Sequence, residues 1–399
     1  MLEVLPHLSV DPILGLVVAY NEDKNPDKVD LGAGVYKNEH GHTPIMSAVS
    51  KAQQYWLQTE TTKVYAPPAG FAGFNQGILE LLFDTEHPVI QEERAISVQT
   101  PGGCGALRIA AGLINRCRPG ARIWISNPSW ANHIPLLGSV GLELVEYPYY
   151  DAQQHMVDFD RMMTALQSAE KGDLILLHGC CHNPSGADLT RDQWRLLTEH
   201  CLAREIVPFI DIAYQGLGDS LAEDVWGLRH MAERCSEVIV ALSCSKNFGL
   251  YRERVGATVI VAANTETATV SRGQLLNIAR EIYSMPPSCG AALVEIILND
   301  KSLKQEWQTE LTQVRQRIRS LREAFSQQFT AAGMGSAFDY ISKEKGMFSF
   351  LNLSPKQVQV LRDRYSIYLL NSGRINIAGL NQQNMDYVVH STINVIDDS

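Results

Sequence analysis

Lys246 lies in SCSKNFGLYRERVG (243–256), just beyond the apolar run VIVAL (238–242), with Arg252 and Arg254 close behind it. An amine at the end of a core strand can form a Schiff base with a carbonyl compound, and burial beside other cations favours its neutral, reactive form. Four other stretches end apolar runs with residues that suit one ligand. TPGGCG (100–105) has glycines that let backbone N–H groups approach an anion at a helix start. NPSWANH (127–133) supplies Trp130, HGCCHNPSG (178–186) supplies Asn183, and DIAYQG (211–216) supplies Asp211 with Tyr214 three residues on. A buried Asp needs a cation or strong donor. Each stretch alone also suits a bare turn, a core aromatic or a solvated loop. Together they describe a site for a phosphorylated, aromatic, nitrogen-bearing cofactor with a reactive aldehyde: phosphate on the glycine turn, Ser243 and an arginine; ring on Trp130; ring nitrogen on Asp211; aldehyde on Lys246. Pyridoxal 5'-phosphate has that set of demands. A nicotinamide cofactor fits poorly, since the glycine fingerprint is missing.

The cluster His178, Cys180, Cys181, His182 invites a metal reading. Successive residues of an extended chain point to opposite faces, so the four are not expected to converge on one ion, and no metal is expected.

The elements that must carry these residues are seven apolar runs: 95–100, 122–126, 142–147, 173–179, 207–212, 237–243 and 257–263. Their near-continuous hydrophobicity suits strands covered on both faces. Helical patterns such as 105–117 and 190–205 lie between them. Alternation of this kind predicts an α/β fold with a doubly wound, mostly parallel seven-stranded sheet, whose ligands gather at the carboxyl ends of the strands. Leu311, Val314, Ile318, Leu321 and Phe325 mark an amphipathic helix over 311–329, leading into a smaller α+β domain with strands in MFSFLNL (347–353) and RINIAG (374–379). The expected division is a large cofactor-binding domain over 46–310 and a small domain built from 1–45 and 311–399.

The 399 residues carry a net charge of −10, which argues against nucleic acid or an anionic membrane as the main partner. Eight cysteines without a CxxC pair suit a reduced, cytoplasmic protein, and no apolar run is long enough to span a bilayer.

In these motifs the sequence resembles the class I aminotransferases of PLP fold type I, closest to the bacterial aspartate/aromatic group. The resemblance runs from DPILGL (11–16) and LGAGVYKNE (31–39) through the stretches above to GMFSF (346–350) and SGRINIAG (372–379). It implies that Lys246 forms the Schiff base with pyridoxal 5'-phosphate and shuttles the proton. Asp211 would keep the ring nitrogen protonated, and Asn183 and Tyr214 would bond the phenolic oxygen, with Trp130 stacked on the ring. Gly102, Gly103, Cys104, Ser243, Ser245 and Arg254 would surround the phosphate, joined by Tyr65 from the second subunit of a homodimer. Arg374 would clamp the substrate α-carboxylate in the bidentate manner of a guanidinium. Arg280 would pair with a distal carboxylate across the dimer, and Gly34 lies on the segment that closes over substrate.

An arginine at 280 implies glutamate/2-oxoglutarate as one substrate pair and aspartate/oxaloacetate as the leading partner. Val35, Lys37 and Thr43 also look like the aspartate-type members. Three positions depart from that pattern: Val64 and Met285 stand where asparagine is usual, and Cys104 where a hydroxyl residue is usual. A less polar pocket suits phenylalanine, tyrosine or tryptophan, so aromatic specificity is the alternative expectation.

Overall fold

In this computed structural model residues 2–7 and 12–398 are described; Asp11 of the DPILGL motif lies outside them. The chain divides into two compact units, one of Pro44–Arg317 with Glu344–Gly346, the other of Met1–Thr43, Ile318–Lys343 and Met347–Ser399.

The larger unit is built on seven strands: β1 (Ala95–Pro101), β2 (Arg122–Asn127), β3 (Glu143–Pro148), β4 (Leu174–His178), β5 (Val207–Ile212), β6 (Val238–Ser243) and β7 (Val255–Val261). Each coincides with an apolar run of the sequence to within two residues. Their order is β1-β7-β6-β5-β4-β2-β3, parallel throughout except that β7 runs against both its neighbours. Every residue of β6 and β7 is buried, as a sheet layered on both faces requires. The core gathers Val98, Ile123, Ile125, Leu176, Phe209 and Ala241 from the strands with Leu107, Ala110 and Ile114 from the helix Gly102–Cys117.

Local signals explain where helices begin. Thr190 and Gln193 form a reciprocal capping box ahead of Arg191–Arg204. The helix after β1 starts at Gly102 rather than 105, because Gly102 adopts a positive φ of 71° and turns strand directly into helix. The amphipathic helix expected over 311–329 starts ten residues earlier, as Lys301–Phe329. The Asp300 carboxylate accepts the Leu303 N–H at 2.9 Å and so satisfies an orphan donor of its first turn. Its buried stripe includes Leu311, Ile318, Leu321 and Phe325, as expected, with Trp307 added upstream.

In the smaller unit Val29–Asp30 pairs in parallel with Ile367–Tyr368, and Phe348–Phe350 pairs antiparallel with Arg374–Asn376. Both latter strands fall inside the expected MFSFLNL and RINIAG runs. The remainder of RINIAG closes as a turn of 3-10 helix, Ile377–Gly379.

Candidate functional site

Six strands of the large sheet run one way, and their carboxyl ends form one rim. β7 runs the other way, so its amino end, just after Arg254, lies on the same rim. Lys246 follows β6 in a partly buried position, its Nζ 5.1 Å from the ring centroid of Tyr214. Burial lowers the Lys246 amine below the ordinary lysine range; Asp211 opposes that and Arg254 reinforces it.

Asp211, on β5, is buried and accepts a 2.9 Å hydrogen bond from His133 Nε2. Burial alone would raise its pKa. The His133 bond and neighbouring positive charge outweigh that, so the carboxylate stays below its usual range. His133 in turn meets the Ser129 hydroxyl at 2.9 Å, and the same hydroxyl meets His178 Nε2 at 3.2 Å. Trp130 lies edge-on to His133 with centroids 5.2 Å apart, and the Asn183 N–H donates to His178 Nδ1 at 3.4 Å. Asn183 and Tyr214 are both buried. Asp211, Trp130 and Asn183 are thus linked through His133, Ser129 and His178, and Lys246 with Tyr214 joins them through the charge of Asp211.

The anion cradle adjoins it. A side-chain carbon on Gly102 would fall 2.5 Å from the Arg254 guanidinium, and one on Gly103 would lie 3.1 Å from Ser243. Those two glycines hold the first turn of the 16-residue helix Gly102–Cys117 against Arg254 and Ser243. Ser243 donates to Ser245 at 3.0 Å, and Arg254 reaches Ser245 at 3.5 Å. Cys104 has Asn132 Nδ2 at 3.8 Å from its sulfur. A helix N-terminus, two hydroxyls and a guanidinium suit a phosphate, and a low-pKa buried carboxylate suits a protonated ring nitrogen. The donor set therefore fits pyridoxal phosphate.

Other expected residues stand elsewhere. Tyr65 is 88% exposed, and Arg280, on Thr265–Ile282, donates to the Ser284 hydroxyl at 2.6 Å. Neither contacts the Lys246 group among the described hydrogen bonds, ion pairs and ring contacts. Val64 is exposed and Met285 half-buried. Arg374 and Gly34 belong to the smaller unit. Arg374 is buried, lies over the Phe348 ring at 4.4 Å and donates to the Gly32 carbonyl at 2.8 Å. Arg252 is exposed.

The sequence reading passed over Ser129 and His133, and treated His178 only as a metal candidate. NPSWANH holds Ser129 and His133 four residues apart, but nothing in their type named Asp211 as the partner. Among the described residues these four side chains fall into two pairs rather than one cluster, but the extended geometry assumed over 178–182 needs correction. His178 and His182 rings approach to 4.2 Å, and the sulfurs of Cys180 and Cys181 lie within 4.8 Å of an Asp224 carboxylate oxygen. The chain leaves extended geometry after His178, with Cys181 at a positive φ of 51°. Asp224 is already committed: it accepts N–H groups from Gly216, Gly218, Asp219 and Ser220. Burial, reinforced by His133, drives His178 down to about 3, and burial likewise lowers His182.

The sequence profile of the family described as aminotransferase class I and II matches residues 26–391. The chain is 45% identical over 388 residues to the aromatic-amino-acid aminotransferase of Pseudomonas aeruginosa, covering 97% of each. It is 44% identical to the aspartate aminotransferase of Escherichia coli K12, covering 99% of this chain and all of that protein. Among solved structures, the aromatic-amino-acid aminotransferase of Burkholderia pseudomallei, covalently bound to pyridoxal phosphate, superposes with a TM-score of 0.97 at 40% identity over 99% of each chain. This chain belongs to the class I and II aminotransferases. No described helix is long and apolar enough to cross a membrane.

Proposed function

We propose that this aminotransferase uses pyridoxal phosphate held by Lys246 to move an amino group between aspartate and 2-oxoglutarate, in a ping-pong sequence of two half-reactions. The observation that carries the reading is the connected rim group: a partly buried amine of lowered pKa beside Tyr214, with Asp211 held ionised by His133. The cofactor, when bound, supplies an electron sink conjugated to the substrate's amine. Gly102, Gly103, Cys104, Ser243, Ser245 and Arg254 would hold its phosphate, Trp130 its ring face, Asn183 and Tyr214 its phenolic oxygen, and Asp211 its ring nitrogen.

Lys246 acts as the base. Its neutral form takes the proton from the substrate Cα and later returns one, as a positioned amine with a pKa tuned toward neutrality can do. Asp211 supports this by remaining an anion throughout, which its His133 bond favours. Arg374 orients the α-carboxylate and Arg280 the distal carboxylate. The exposure of Tyr65 and Arg280 supports their acting on the site of a second copy, in a homodimer with shared active sites.

Relatives of both names at similar identity support an aromatic amino-acid substrate as the second reading, and Val64, Cys104 and Met285 favour it by making their positions less polar. The deciding measurement is kcat/KM for aspartate, tyrosine and phenylalanine with 2-oxoglutarate. The reading expects aspartate to lead by more than about tenfold, roughly 1.4 kcal/mol in transition-state binding. A tenfold lead for tyrosine or phenylalanine overturns it in favour of the second.

A further inference from the structure

The stretch 30–35 of the smaller unit is held from two sides. Two of its N–H groups go to Asp30: Oδ1 accepts Gly32 N–H at 3.0 Å and Ala33 N–H at 3.1 Å, while Oδ2 pairs with Lys37 at 2.7 Å. Four of its carbonyls go to the strand Arg374–Asn376. Arg374 takes Gly32 O at 2.8 Å. The Asn376 amide donates to Ala33 O at 2.6 Å and Val35 O at 2.7 Å, and its Oδ1 accepts the Ala378 N–H at 3.0 Å. The backbone N–H of Asn376 reaches Leu31 O at 2.7 Å. Asn376 is 1% exposed, while Asp30, Lys37 and residues 33–35 that it helps hold are half-buried.

We propose that Asn376 is a positioning residue for substrate carboxylate binding. Its amide fixes the 33–35 backbone to the strand that carries Arg374, so Gly34 and the Arg374 guanidinium are presented as one rigid unit. The chemistry requires asparagine. Two diverging N–H donors and one acceptor on a short stem serve three backbone groups at once. Aspartate has the shape but offers acceptors to two carbonyls, and alanine offers nothing. Gly34 matches this tight setting, because a side-chain carbon there would lie 3.3 Å from Phe348 Cζ, and Phe348 pairs with Asn376 across the strands.

This inference rests on the reading of Arg374 and Gly34 as substrate-binding residues, and the experiment separates the two. Asn376→Ala, Asn376→Asp and Arg374→Lys holoenzymes are compared for KM and kcat, for the cofactor's visible absorption, for melting temperature and for amide hydrogen exchange over 31–37. A misplacement of about an ångström can cost two orders of magnitude. Asn376→Ala should therefore raise KM for both amino-acid and oxo-acid substrates about tenfold or more, lower kcat by less than about threefold, leave the absorption band unchanged and speed exchange over 31–37. Asn376→Asp should show the same KM defect near pH 8 and recover part of it near pH 6, where its protonated carboxyl regains one donor. An unchanged KM in Asn376→Ala, or a kcat loss that tracks a fall in melting temperature, overturns the inference. An unchanged KM in Arg374→Lys instead overturns the substrate-binding reading beneath it.

Discussion

The rim around Lys246 and the pair Tyr65 and Arg280 are built in opposite ways. The rim residues are mostly buried, and their side chains reach one another through short hydrogen bonds and ring contacts contributed by five strand ends. Tyr65 and Arg280 are exposed, and Arg280 has a single described partner, Ser284. Under the proposed function most of the cofactor's contacts come from one chain's own core, where rigidity comes from packing that folding demands anyway, and Tyr65 adds one from the second copy. Arg280, proposed to choose the substrate, and Tyr65, expected at the cofactor phosphate, both sit on exposed surface. Under the proposed function a second copy orders them, and specificity can drift while the chemistry stays fixed.

Breaking the rim should have the largest effect. Lys246→Ala should lower kcat for every amino acid by at least about a thousandfold while the melting curve stays cooperative, since a positioned base alone contributes 10²–10⁴-fold. Steady-state transamination with a dehydrogenase-coupled readout checks it. Breaking the exposed side should be selective. Arg280→Ala should lower kcat/KM for aspartate by about a hundredfold, as two charge-assisted hydrogen bonds imply, and change phenylalanine by less than about threefold. Comparing both substrates in one variant sharpens the contrast between chemistry and choice.

Smaller effects should come from the supports of the rim. His133→Asn removes the donor that holds Asp211 ionised. It should lower kcat about tenfold, the equivalent of one hydrogen bond to a charged group at about 1.5 kcal/mol, and shift the pH profile of kcat. The smallest effect concerns His178, held neutral down to about pH 3. The unfolded chain binds a proton there below about pH 6.5 and the native one does not, so stability is full above that pH and declines as pH falls. The melting temperature should drop between about pH 7.5 and about pH 5, and His178→Gln should flatten that drop.

Much of this was legible in the sequence because the strands other than the edge strand β3 are largely buried on both faces and so announce themselves as apolar runs. The residue following such a run must then lie on a rim, and Lys246, Asp211 and Asn183 were found that way. The Asp300 cap and the first ten residues of the helix Lys301–Phe329 were missed, because a cap depends on one short contact and not on periodicity. His133 and Ser129 were missed for a related reason: their partners, Asp211 and His178, are distant in sequence, and only the order of β2, β4 and β5 in the sheet brings them together. Asn376 is hidden more deeply, since a buried amide serving backbone carbonyls leaves no pattern at all.

The measurement that most directly tests the split between a self-contained rim and a borrowed specificity residue is complementation. Lys246→Ala and Arg280→Ala chains, each strongly impaired toward aspartate, are co-expressed with different tags and the mixed species assayed. In a symmetric dimer with shared sites, each mixed dimer regains one intact site, so a random mixture should recover about a quarter of the parent's aspartate activity. Activity no greater than the sum of the two separate variants would contradict it.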